Sequence, residues 1–297
     1  MVAVNIGSEI VSLIDEIMND KVHGASELAR QAVGVLKVAA ERSRADGVAT
    51  FLVEQREVGE RLMSARPAMV PVFNIVGNLL KKIEEKVGEM DLNSVRHFIV
   101  SKADEAVSNS LQAVARIAEY GSELVADGDT IMTHSYSSTV LVMLKAVFTK
   151  HNNIEVITTR SGSGRTGETI ARELGSYGIP VIFIDDAAMG LYISEVNKVM
   201  VGVDRVCADG AVVNGIGTYP LALTAQRTGI PFYVLGEMLK FDLRFKSDEV
   251  GLEERESSEV VEAGILPAEV RVKNPYFDIT PLELIAGIVT EKGLLTP

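Results

Sequence analysis

"DTIMTHSYSSTVLVMLKAVF", Asp129–Phe148, holds the junction on which the fold turns. Its first residues form a short apolar run of strand character, and its last ten form an amphipathic helix. Between them stand His134 and Ser135, followed by Ser137 and Ser138, where a strand gives way to a helix N-terminus. A serine beside a histidine there is either part of a catalytic site or a piece of a binding loop.

Downstream of this junction the pattern repeats. "IEVIT", "PVIFID", "KVMVGV" and "PFYVL" read as strands, and "ETIARELGSYG" and "GTYPLALTAQRTG" as the helices between them. Five short strands alternating with helical segments predict a doubly wound, Rossmann-like parallel sheet covered on both faces. Upstream the period is helical throughout. Leu28, Ala32, Val35, Leu36 and Ala39 recur at three- and four-residue steps, as do Leu92, Val95, Ile99, Ala103, Ala106, Leu111, Val114 and Ala118. In that second helix Asp91 or Asn93 is the expected cap and Gly121 the expected stop. The expected class is therefore α/β, with a helical domain over 1–122 and an α/β ligand-binding domain over 123–297. The acidic stretch "KSDEVGLEERESSEVVEAG" has no period and reads as an exposed loop. The apolar "PLELIAGIVTEKGLL" reads either as an interface segment or as a core helix.

A chain of 297 residues with 47% apolar and 24% charged residues has the composition of a soluble globular protein. Its net charge of −12 argues against wholesale binding to nucleic acid or an anionic membrane, so neither is expected as a partner. The lone cysteine, Cys207, excludes an intrachain disulfide and reads as a small core residue. "MVAVNIGSEIVSLIDEI" lacks a basic region and is not expected to act as a secretory signal. No apolar run reaches the length of a membrane span. A cytoplasmic location is the expectation, with no metal and no cofactor called for.

Ligands of open α/β sheets sit beyond the carboxyl ends of the strands. Those ends carry His134–Ser138, Thr159–Gly167, Asp185–Asp186, Asp204–Arg205 and Gly236–Glu237. The loop "SGSGRTGET" offers hydroxyls from Ser161, Ser163 and Thr166, close backbone approach at its glycines, and the cations Arg160 and Arg165. Such a loop at a helix N-terminus suits a phosphate. The plainer reading is a βα turn in which Thr166 or Thr169 caps the helix. The loop is also similar, over a short span, to the phosphate loop of sugar isomerase domains. In "VGVDRVCADGAVVNGIGTYPLAL" a buried strand delivers Asp204 to the sheet edge, where a carboxylate can exchange a proton with a substrate hydroxyl. Its plainer role is to cap a turn or pair with Arg205. A tight turn, a short strand and a glycine turn then open a helix at Thr218.

Six ordered segments resemble the family of translation initiation factor 2B alpha, beta and delta subunits. They are "VHGASELA", "ARPAMVPVFN", "THSYSSTVL", "VGVDRVCADGAVVNGIGTYPLAL", "GEMLKF" and "NPYFDITPLELIAGIVTEKG". The family includes isomerases of ribose-1,5-bisphosphate and methylthioribose-1-phosphate. The resemblance implies a sugar phosphate or nucleotide held by His23, Gly24, Ala25, Arg66, Ser137, Ser138, Ser161, Ser163, Arg165, Thr166, Asn214, Gly215 and Lys240. It also implies a catalytic pair at Ser135 and Asp204, a homo-oligomer (dimer or hexamer), and initiation factor 2 as a candidate partner. At position 135 the isomerases carry cysteine, a far better proton carrier near neutrality than serine. His23 stands where the family has arginine, and Gly215 where it has lysine. "THSYSS" is most similar to the alpha subunit, a regulatory member. A noncatalytic ligand-binding protein is the first expectation, and an aldose–ketose isomerase working through Asp204 the second.

Overall fold

The computed structural model describes residues 6–20, 23–66 and 69–296. These residues form two compact units that meet in sequence at Gln112 and Ala113. Val22, Pro67 and Ala68, which belong to two of the quoted segments, lie outside the described residues.

The first unit is helical: α1 (Ser8–Asn19), α2 (Ala25–Arg42), α3 (Val48–Ala65), α4 (Val70–Lys86) and the start of α5 (Leu92–Glu123). Leu28, Ala32, Leu36, Val95 and Ile99 of the two predicted stripes are fully buried, together with Phe51 and Leu62, whereas Leu111 of the second stripe is exposed. Asp91 caps α5, its Oδ1 accepting from the Ser94 N–H at 2.8 Å. Gly121 does not end α5, which runs on to Glu123. Instead, a Cβ at 121 would lie 2.9 Å from Met143 Cγ. The glycine permits close packing, a tertiary contact that a reading of helix stops cannot see.

The second unit contains β1 (Thr130–Thr133), α6 (Ser138–His151), β2 (Glu155–Thr159), α7 (Thr166–Tyr177), β3 (Val181–Ile184), the single turn α8 (Met189–Tyr192) and β4 (Lys198–Val201). There follow β5 (Arg205–Cys207), β6 (Val212–Gly215), α9 (Thr218–Thr228), β7 (Phe232–Leu235), β8 (Phe241–Asp242), β9 (Phe277–Thr280), β10 (Gly287–Thr290) and β11 (Gly293–Leu295). The main sheet has the order β11-β10-β7-β4-β1-β2-β3 and is parallel except for the β10–β11 pair. Alternate residues feed its two cores. Ile131, Val156 and Met200 pack with α6 and α7, whereas Met132, Ile157 and Val199 pack with Leu221 and Ala225 of α9.

The sheet thus has seven strands rather than five, and a second small sheet, β8-β5-β6-β9, stands beside it. Apart from β6, which is the short strand expected before the Thr218 helix, the extra strands are only two to four residues long, below what alternation can register. "PLELIAGIVTEKGLL" forms β10 and β11, not a core helix. The β-branched run Ile288–Thr290, bounded by Gly287 and Gly293, overrides the helix-like spacing of its apolar residues. The acidic stretch is exposed, with two single 3-10 turns at Ser247–Glu249 and Ser257–Glu259. Among the described residues no helix is long and apolar enough to cross a membrane.

Candidate functional site

Strand order reverses at β1. The chain moves outward through β2 and β3, then returns past β1 to β4 and β7. The loops after β1 and β4 therefore flank the switch point, the crevice where such sheets bind ligands. The first carries Ser135 and the second Asp204.

The β1–α6 loop is held in an unusual backbone shape. Ser135 has φ +65°, a left-handed conformation that is costly for a non-glycine residue and found mainly where surroundings enforce it. Its N–H donates to Ser161 Oγ at 2.7 Å, and its hydroxyl shares a hydrogen bond with Thr166 Oγ1 at 3.1 Å. Gly215 lies against it: a Cβ there would come within 2.8 Å of Ser135 Oγ. Two of the three positions that depart from the family pattern are thus neighbours. His134 is fully buried and pairs elsewhere, its Nδ1 2.6 Å from Thr159 Oγ1 and its Nε2 2.7 Å from the Ile216 carbonyl. No Ser135–His134 dyad forms, because both ring nitrogens are taken. Ser137 caps α6 by accepting from the Val140 N–H at 3.3 Å, and Ser138 opens the helix.

The β2–α7 loop turns tightly, with Ser161, Gly162 and Arg165 all at positive φ. Two of its backbone donors are already engaged by the protein itself. The Ser161 and Gly162 N–H groups donate to the two carboxylate oxygens of Asp186, at 2.8 and 2.7 Å. Ser163 Oγ donates to Asn274 Oδ1 at 2.7 Å. Thr166 is the first residue of α7, and Arg165 pairs with Glu168 of the same turn. A pocket of about 360 Å³ opens beside this loop, with Arg160, Ser163, Arg165, Asp185, Asp186 and Asn274 among its walls.

The segment after β4 links the two sheets. Asp204 is half-buried, and its N–H donates to the Val213 carbonyl at 2.9 Å, which ties it to β6. Asn214, buried in β6, donates to Thr218 Oγ1, which in turn donates to the Gly215 carbonyl. Gly217 has φ +106°, and a Cβ there would sit 2.6 Å from the His134 ring, so both backbone and packing require glycine. Asp278 of β9 fills the N-terminus of α9: its Oδ2 accepts from the Gly217 and Tyr219 N–H groups. Its Oδ1 is buried with no partner, and burial pushes its pKa up to about 6. Lys240 is buried, its ammonium donating to the Val203 carbonyl at 2.7 Å.

The remaining expected site residues belong to the helical unit. They gather around Asp20, where α1 ends. Its carboxylate receives the His23 N–H and lies 2.7 Å from His23 Nδ1, which raises the imidazole pKa. Its carbonyl accepts from Arg66 at 2.7 Å. Gly24 and Ala25 form the N-cap and first residue of α2. Asp278 and Asn274 were not picked out from sequence as site residues. Both lie in the closing segment "NPYFDITPLELIAGIVTEKG", whose resemblance assigns neither of them a role, and their hydrogen-bond partners are distant in sequence.

A helical unit and a doubly wound unit, the latter with polar loops gathered at its switch point, define a Rossmann-like protein of the α/β class. The chain belongs to the Initiation factor 2 subunit family, whose sequence profile matches residues 21–297. It is 36% identical over 294 residues to ribose 1,5-bisphosphate isomerase of Pyrococcus furiosus, covering 97% of this chain and 91% of that protein. The crystal structure of translation initiation factor eIF-2B from Pyrococcus horikoshii OT3 superposes with a TM-score of 0.84 at 33% identity, over 98% of both chains. That of 5-methylthioribose 1-phosphate isomerase from the same organism gives 0.83 at 28% identity, over 97% of this chain and 84% of the other.

Proposed function

We propose that this protein binds a phosphorylated pentose of the ribose 1,5-bisphosphate type at the carboxyl edge of β1 and β4 and interconverts its aldose and ketose forms, with Asp204 carrying the proton. The observation that carries this reading is similarity along nearly the whole chain to a protein named ribose 1,5-bisphosphate isomerase. It displaces the noncatalytic reading as the first choice. The position of Asp204 supports it: a half-buried carboxylate at the switch point is suited to take a proton from one sugar carbon or hydroxyl and return it to the neighbour. Ser135 fits an orienting role better than an acid–base one. Its hydroxyl is bonded to Thr166, and the adjacent His134 is turned away to Thr159 and Ile216, so the histidine does not activate it.

A second reading keeps the ligand and drops the chemistry. It is favoured by the serine itself, which stands where the resemblance gives a thiol, and by the structural likeness to eIF-2B. On that reading the protein holds a sugar phosphate or nucleotide, assembles with copies of itself, and acts through initiation factor 2.

Purified protein mixed with ribose 1,5-bisphosphate separates the two. Ketose formation followed by proton NMR, lost by a factor of at least about 10² in Asp204→Asn, is the expected result. Thermal stabilisation by the sugar phosphate with no turnover at all would establish the second reading instead.

A further inference from the structure

We propose that His134 is a positioning residue, whose neutral Nε2–H tautomer sets a one-way hydrogen-bond relay that locks the loop of Ser135 to the glycine turn at 215–217. The inference concerns how the site is held, and its importance for ligand binding rests on the sugar-phosphate reading above.

The direction of each bond follows from the chemistry of its ends. A carbonyl oxygen can only accept, so the 2.7 Å contact with Ile216 requires the proton on Nε2. The ring is buried in its entirety, and that burial holds its pKa below the ordinary value, so it is neutral and Nδ1 is an acceptor. Thr159 Oγ1, 2.6 Å away, must then donate its hydrogen to Nδ1. The Ser161 hydroxyl therefore donates back to Thr159, whose Oγ1 and carbonyl oxygen lie at 3.2 and 3.3 Å. Ser161 Oγ is left to accept from the Ser135 N–H at 2.7 Å.

Every hydrogen in this chain points from Ser135 toward Ile216. Its two ends are the residues that need restraint. Ser135 sits at φ +65°, and the turn at its far end includes Gly217 at φ +106°, packed against the imidazole ring. Asp186 anchors the middle by accepting from the Ser161 and Gly162 N–H groups. Three loops from three parts of the sequence are thereby fixed as one body, which is what a site needs if its groups are to stay in place without a ligand. Reversing the Thr159 hydroxyl breaks the chain at its centre.

The test uses the full-length protein with three readouts. Nitrogen-15 shifts of His134 at pH 7 are expected to show the neutral Nε2–H tautomer; an Nδ1–H tautomer would overturn the relay. Thr159→Val removes the donor to Nδ1 while keeping the side-chain shape. It is expected to shift the Ser135 and Gly217 amide resonances and to weaken ribose 1,5-bisphosphate binding about tenfold. Thr159→Ser is expected to restore both. Unchanged amide resonances in Thr159→Val, or a serine variant that rescues nothing, would sink the proposal. If the unmodified protein binds no ribose 1,5-bisphosphate, the functional reading falls, while the tautomer and the amide shifts still decide the relay.

Discussion

The N-termini of α6 and α9 look alike in sequence and differ in what fills them. Each follows a strand end rich in serine or glycine, and each has first-turn N–H groups of the kind that attract negative charge. At α6 the cap is the neutral hydroxyl of Ser137. At α9 the donors of Gly217 and Tyr219 are bound by the carboxylate of Asp278. The β2–α7 loop follows the second pattern, with Asp186 seated on Ser161 and Gly162. A glycine- and serine-rich turn is therefore not by itself a phosphate site. What matters is whether a side chain from elsewhere in the fold already supplies the anion.

The sharpest way to break this comparison is to remove an internal anion. Asp186→Ala leaves the Ser161 and Gly162 N–H groups without their acceptor in a loop that holds left-handed serine. A loss of about 2–3 kcal/mol in denaturant unfolding is expected. Asp186→Asn should recover little, because an amide offers one acceptor oxygen and turns its NH₂ toward the second donor. A loss below about 0.5 kcal/mol would mean that the turn holds itself and the carboxylate is incidental.

At α9 the effect is somewhat smaller and depends on pH. Burial raises Asp278 to about 6 from 3.8 despite its backbone donors, so the native state takes up this proton before the unfolded chain does. Between pH 4 and 6 the folded form binds more protons, and this group's contribution to stability falls as pH rises through that window. Its full extent is roughly 1–3 kcal/mol, allowing for partial exposure. His134 has the opposite sign. Its lowered pKa means that stability is present above 6.5 and is lost as pH falls below that value. Asp278→Asn should therefore remove the opposing slope and leave the protein more sensitive to acid, read as melting temperature from pH 4 to 8. An unchanged pH profile would show that the carboxyl is not titrating in that range.

These internal anions also mark the boundary of what was legible in the sequence. The strand–helix alternation after Gly128, the sheet-edge loops and the placement of Asp204 follow from local pattern, because buried parallel strands and their crossover helices have distinct periods. Gly121 and the segment over 281–295 misled for the opposite reason: a close approach to Met143 and pairing with β7 are contacts between distant residues. Asp278 and Asn274 were invisible on the same ground. Asp278 acts across β6 and β9 on a turn some sixty residues earlier, and nothing near it in the chain announces the partner.

The smallest expected change in stability comes from converting one helix N-terminus into the other. Ser137→Asp places an internal carboxylate at α6, as Asp278 does at α9. Aspartate caps as well as serine, so stability should change by no more than about 1 kcal/mol. Binding should respond quite differently. If a sugar phosphate seats its phosphate on the first turn of α6, the new carboxylate competes for the same donors and repels the ligand. Affinity for ribose 1,5-bisphosphate by calorimetry should then fall at least tenfold, which corresponds to about 1.4 kcal/mol. Ser137→Ala separates the two effects, losing the cap but adding no charge, so it should cost stability while sparing most of the affinity. Equal affinity in Ser137→Asp and the unmodified protein would move the anion seat away from α6, and the contrast between the two helices would then reflect capping alone.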